Sequence, residues 1–196
     1  MDGNDQLAVI IPMLQEVVDG IRDDQLGNPT PCAGFTVAGV LDHMTGLASA
    51  FAPMFRGVTP AASNGAASPG VQAAHKALDD LLDAVQSPGA LDRTIQTPNG
   101  PMPGAVFAQL VAVDGLVHGW DLATATQQPW LPPEPLVRQI DAFAREAINP
   151  GMRGDAFAAE RAAPAGASTM LRLVAFTGRA PNGLASPGGA QSLSAG

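Results

Sequence analysis

Apolar residues recur three and four positions apart through most of this chain, and that period predicts helices. Leu7, Ile10, Ile11, Leu14, Val17, Val18 and Ile21 trace one stripe over residues 5–25. Pro12 falls inside the stripe and implies a later start or a kink. The segment 27–35, "GNPTPCAGF", reads as a loop from its Gly and Pro content, and Thr36 is placed to cap a second helix over 37–56. Another loop, "RGVTPAASNGAASPG", precedes a third helix over about 69–86, with Val71, Ala74, Leu78, Leu81, Leu82 and Val85 on its apolar side. Residues 87–103 cannot be helical throughout, and "TIQTPNGPM" has the turn chemistry of a short hairpin. A fourth helix is expected over 104–126, ended by "QQPWLPP", a fifth over 133–148, and a short one near 168–177. The stretch 182–196, "NGLASPGGAQSLSAG", lacks any apolar period and reads as a flexible tail, so that deleting residues 184–196 should hardly change thermal stability. Residues 1–181 then form a single domain. Four principal helices joined by longer crossovers predict an all-α bundle.

With 196 residues and 46% apolar content the chain can bury a substantial core, and its scarce aromatics and abundant Ala favour closely packed helices. The net charge of −8 is spread without a run, and no basic stripe exists to neutralise phosphates. That argues against a nucleic acid or an anionic membrane as partner. Cys32 is the only cysteine, so no intramolecular disulfide forms. Asp2 and Asp5 stand where a signal peptide would be basic, the apolar run "LAVIIPML" is broken by Pro12, and no stretch reaches the roughly 20 apolar residues of a membrane helix. A cytoplasmic protein is expected.

One stretch of the fourth helix departs from the pattern of a buried element. In "VDGLVHGWDLATAT", residues 113–126, Asp114, His118 and Asp121 fall at i, i+4 and i+7 on one helix face. The Asp114–His118 pair brings a carboxylate and an imidazole within reach of one ion. A third ligand must come from elsewhere, and His43, at the border of the second helix's apolar stripe, is the better candidate. His75 lies among Lys76, Asp79 and Asp80 on what reads as a solvated face, and is expected to be dispensable. On the residues alone two readings stand: a metal site, or an i, i+4 pair that simply stabilises its helix. Asp121 can ligate, orient a ring N–H, pair with an arginine, or cap a neighbouring element. Trp120 reads as core. Cys32 reads as a small buried hydrophobe or as a thiol beside the metal, and Arg56 as a helix-terminal cation or an anion contact.

Three stretches, "NPTPCAGFTVAGVLDHMTG", "VDGLVHGWDLATAT" and "MLRLVAFTGRAP", occur in this order and together resemble the DinB-like metal-binding family. The resemblance is to the branch related to mycothiol-dependent maleylpyruvate isomerase and mycothiol S-transferases, and it covers about residues 5 to 181. It implies a DinB-like four-helix bundle with long crossover loops and additional C-terminal helices. It also implies a divalent metal, zinc ahead of nickel, held by one His from the second helix and an acid-x-x-x-His pair from a later one. Those positions match His43, Asp114 and His118. Mycothiol as thiol cofactor and a small electrophile as partner follow from the same resemblance, with a homodimer left open. Three positions depart from the family pattern: Asp114 where Glu is frequent, Phe35 where Trp is common, and Ala33 where an acid often follows the Cys.

The function implied is a metal-dependent transferase or isomerase that uses a low-molecular-weight thiol. The alternative is a non-catalytic metal- or small-molecule-binding bundle serving sequestration or resistance. Sequence shows no Ser-His-Asp order, phosphate loop or Cys-His pair that would supply a different nucleophile.

Overall fold

The computed structural model describes residues 1–58, 70–97, 100–154 and 157–181. The tail beyond Pro181, most of the loop before the third helix and the turn of the hairpin lie outside the described residues.

Among the described residues six α-helices and one hairpin follow each other: α1 (Gly3–Asp19), α2 (Val37–Arg56), α3 (Val71–Val85), β1 (Thr94–Thr97), β2 (Gly100–Pro103), α4 (Gly104–Thr126), α5 (Glu134–Ala147) and α6 (Thr169–Phe176). The first helix begins earlier and ends earlier than its apolar stripe suggests. Asp2 caps it and shares a reciprocal capping box with Asp5, which fixes the start ahead of residue 5. Pro12 lies inside α1 on an exposed position and does not end it. The helix stops at Asp19, and Asp23–Gln25 form a short 3-10 turn instead of continuing it. There Ile21 stays buried and Gln25 donates to the Thr126 carbonyl, so the chain turns to reach the end of α4. Thr36 caps α2 by accepting from the Gly39 amide. The strands β1 and β2 pair antiparallel, with Ile95 opposite Met102.

The packing order defines the bundle. α1 lies against α4 and α3, α3 lies against α2, and α5 and α6 pack on each other with α5 also against α4. Gly3 lets α1 approach α4 closely, because a Cβ there would meet Ala108. α4 is the central element: Phe107, Val111, Leu116 and Leu122 are buried with many of its small residues, and His118 and Asp121 are buried with them. α2 and α4 touch less than the other principal neighbours, and a cleft opens between them. Among the described residues no helix is long and apolar enough to cross a membrane.

His75 is tied more closely than a solvated histidine would be. Its Nδ1 lies 2.9 Å from Asp19 Oδ1 on α1, and its Nε2 lies 3.7 Å from Asp79 Oδ2. The groups remain exposed to solvent, so His75→Ala is expected to cost under about 1 kcal/mol. A calorimetric melting temperature reads this as a shift of no more than about 2–4 °C; a larger drop would show that the α1–α3 contact depends on this pair. Arg56 likewise serves structure, gripping Asp80 of α3 through Nη1–Oδ2 and Nη2–Oδ1 contacts of 3.1 and 2.7 Å.

Candidate metal centre

The two helices that flank the cleft bring the sequence's candidate ligands together. His43 comes from α2, and Asp114 and His118 from successive turns of α4. Asp114 Oδ1 lies 3.8 Å from His43 Nε2 and 3.5 Å from His118 Nε2. The two imidazole rings meet edge to face with centroids 5.0 Å apart. His43 and Asp114 keep about a third of their side-chain surface exposed to the cleft, whereas His118 is 5% exposed.

The far side of His118 explains its orientation. Its Nδ1 lies 3.0 Å from Asp121 Oδ2, and that same oxygen accepts from Arg179 Nε and Nη2 at 3.2 and 3.1 Å. Asp121 is fully buried and Arg179 nearly so, so the charges are paired away from water. A carboxylate only accepts, so the ring donates from Nδ1 to Asp121, and its Nε2 faces Asp114. Asp121 Oδ1 has no partner among the described residues.

Two loops complete the walls. The loop after the 3-10 turn is fastened to the end of α4 by Asn28 Nδ2, which donates to the Ala125 carbonyl. It folds on itself through Thr30, whose amide and hydroxyl both donate to the Phe35 carbonyl, at 3.0 and 2.9 Å. This sets the Phe35 ring edge-on to His43 and points Cys32 into the cleft. After α6, Gly178 adopts φ +94° in a site where a Cβ would strike Ala158. The chain reverses there, and the Arg179 amide donates to the Val174 carbonyl, aiming the guanidinium inward. Arg179 Nη2 then reaches Cys32 Sγ at 3.4 Å. Cys32 is therefore a cleft residue held by an arginine, not a simple apolar filler.

The electrostatics follow from this arrangement. Burial pushes the Asp114 carboxyl up, but His118, His43 and Arg179 together outweigh it and hold the group below the usual carboxylate range. The polar contact with Asp114 raises His43 above an ordinary imidazole, against the opposing effects of burial and Arg179. Burial lifts the Cys32 thiol, against the pull of Arg179.

His43, Asp114 and His118 offer ligand atoms that all lie within 4.8 Å of one another; Cys32, His118 and Asp121 form a second such group. In the second group the Arg179 guanidinium already supplies the positive charge, and a cation added there would face it. In the first, two imidazole nitrogens and a carboxylate oxygen face one another with no cationic side chain between them, at separations too long for good hydrogen bonds. Two imidazoles and one carboxylate are a donor set suited to a divalent ion with open positions.

Sequence reasoning singled out every α4 member of this site but gave Arg179 no role. Its signal was present in "FTGRAP", a glycine followed by an arginine at the end of a short helix. Phe157, which also lines the cleft, carries no signal of its own.

The profile of the mycothiol maleylpyruvate isomerase N-terminal domain family matches residues 10–123, the span that contains His43, Asp114, His118 and Asp121. Two uncharacterised proteins from strains of Mycobacterium tuberculosis are each 36% identical over 163 residues, covering 81% of this chain and 87% of the relative. No solved structure matches the chain significantly.

Proposed function

The chain belongs to the mycothiol maleylpyruvate isomerase N-terminal domain family, and from that premise we propose that it is a divalent-metal enzyme acting on a low-molecular-weight thiol such as mycothiol and a small electrophile. His43, Asp114 and His118 are the metal ligands in this reading, with zinc the metal best matched to the donor set. The observation that carries it is the convergence of His43 Nε2, His118 Nε2 and Asp114 Oδ1 at the cleft between α2 and α4. A bound divalent ion supplies the Lewis acidity that favours the deprotonated form of a thiol at neutral pH.

The side chains supply the rest. Asp121 and Arg179 hold the His118 ring so that Nε2 faces the cleft. Phe35, Leu47, Val117 and Phe157 shed water from the reacting end. In a transfer, the thiol sulfur bonds to the electrophilic carbon while the leaving group departs with the bonding electrons and the thiol proton is released. In an isomerisation, addition to an activated double bond, rotation and elimination return the thiol.

The test offers purified, metal-loaded protein a thiol and a panel of electrophiles and follows thiol consumption. Consumption above the buffer rate supports the reading. Metal bound at one ion per chain with no consumption would favour a binding protein instead.

Two further results are expected. Asp121→Asn keeps the shape of the side chain but removes the charge that polarises His118, and should weaken metal affinity by roughly 10–100-fold. A competition titration with a chelator measures this; unchanged affinity would leave Asp121 a purely structural residue. Metal affinity should also depend on pH, because a proton and an ion compete for His43 Nε2. Since Asp114 raises His43, affinity is expected to fall as the pH drops through a range above that of an unperturbed imidazole, and to recover as it rises. Calorimetric titration at descending pH would show a flat affinity if His43 is not a ligand.

A further inference from the structure

A second cavity adjoins the cleft on the side away from the charged groups. On α2, Leu47 follows His43 by one turn, and Phe51 and Met54 continue along the same side. On α4, Leu110 precedes Asp114 by one turn. These residues, with Met102 of β2 and Met152, wall a groove of about 680 Å³. Leu47 lines both this groove and the cleft that holds His43, Asp114 and His118, so the two adjoin at that side chain. The volume lies within the ~300–1,000 Å³ of small-molecule sites. Among the described residues none of the groove's lining side chains is ionisable, and Thr97 and Asn149 are its polar ones. Three methionines let the wall adapt to shape. Among the described residues the charge along the two cavities is thus gathered at one end, at His43, Asp114, His118 and Arg179.

We propose that this groove binds the apolar body of an uncharged, elongated electrophile, with its reactive end at His43, Asp114 and His118. A dicarboxylate would lose its water here with no cationic partner among the described lining residues, whereas a hydrocarbon chain or ring gains by burial. The reactive end rests on the metal-and-thiol reading; the groove's affinity for hydrocarbon does not.

The test titrates N-phenyl-1-naphthylamine, an uncharged apolar dye, into the full-length protein and into His118→Ala, with fluorescence as readout. Saturable binding of one dye per chain is expected in both, because no metal ligand lies in the groove wall. Leu110→Arg is expected to weaken the dye by at least about tenfold, since a cation would have to be desolvated in the groove. Met54→Glu, at a half-buried position, provides the same test if Leu110→Arg fails to fold by circular dichroism. Straight-chain primary alcohols from hexanol to decanol should displace the dye with affinity rising about two- to fourfold per methylene. Carboxylates of the same length should compete at least about tenfold more weakly. Absence of saturable binding, no dependence on chain length, or equal competition by carboxylates overturns the proposal. So does dye uptake accompanied by a shift to dimer in sedimentation, which would make a second copy the occupant. Dye binding with the expected chain-length dependence, but no thiol consumption by the metal-loaded protein, upholds the groove and counts against the metal-and-thiol reading alone.

Discussion

His118→Ala is expected to abolish metal binding and to reduce thiol consumption to the buffer rate. Among the three candidate ligands His118 is the most buried, and its other ring nitrogen is fixed by Asp121 Oδ2 at 3.0 Å. Its loss leaves His43 and Asp114, both partly exposed, and neither is held by a comparable partner among the described residues. The effect is also legible without an activity assay. An ion that binds only the folded wild type at about 100 times its Kd adds about 2.7 kcal/mol of stability. For a chain of this size that is a rise of roughly 5–10 °C in melting temperature. The wild type should therefore melt higher with added metal, and His118→Ala should melt at one temperature with or without it. Identical metal-induced shifts in the two proteins would remove His118 from the site. Equal thiol consumption by the two would end the metal-dependent mechanism.

Arg179→Met is expected to be the most destabilising single change near the site. Asp121 has no solvent exposure, and Arg179 is the only cationic side chain in contact with it among the described residues. Removing the guanidinium leaves a buried carboxylate without its counter-charge, a situation that typically costs about 3–5 kcal/mol. The melting temperature should fall by on the order of 10 °C. Three attachments go at once: those to Asp121, to Cys32 Sγ and to the Thr177 carbonyl. The double variant Arg179→Met with Asp121→Asn removes both charges and is expected to recover part of the loss. A single variant that melts within about 1 °C of wild type would show that water reaches Asp121 and replaces the arginine. A double variant no more stable than Arg179→Met would place the cost in packing rather than in charge.

These expectations rest on features of unequal visibility in the chain. The α4 line of Asp114, His118 and Asp121 is a matter of spacing, since positions four and three apart share a helix face wherever the helix sits. The start of α2 was equally local, because Thr36 caps whatever turn follows it. The hairpin before α4 was signalled by its Pro and Gly content, and its strands pair as that content suggests. The end of α1 was not local. The apolar period runs on through Ile21, but the chain leaves the helix at Asp19 so that Gln25 and Asn28 can reach carbonyls at the end of α4, about a hundred residues on. Cys32 shows the same limit: its loop was evident, but only the closed loop shows which way the thiol points.

By itself, then, the sequence determined the helices apart from the ends of α1, the cap of α2, the apolar faces that form the core, and the three polar groups in line on α4. Tertiary structure decided what those groups meet. It brought His43 of α2 to 3.8 Å from Asp114, and Arg179 to Asp121 across 58 positions of sequence. It also left α2 and α4 far enough apart for a cleft and an apolar groove to share Leu47. The physical reason is that periodicity and capping act within a turn or two of helix, through hydrogen bonds and rotamers the local chain controls. The separation and crossing of helices are set by how whole faces interdigitate, which no single segment encodes.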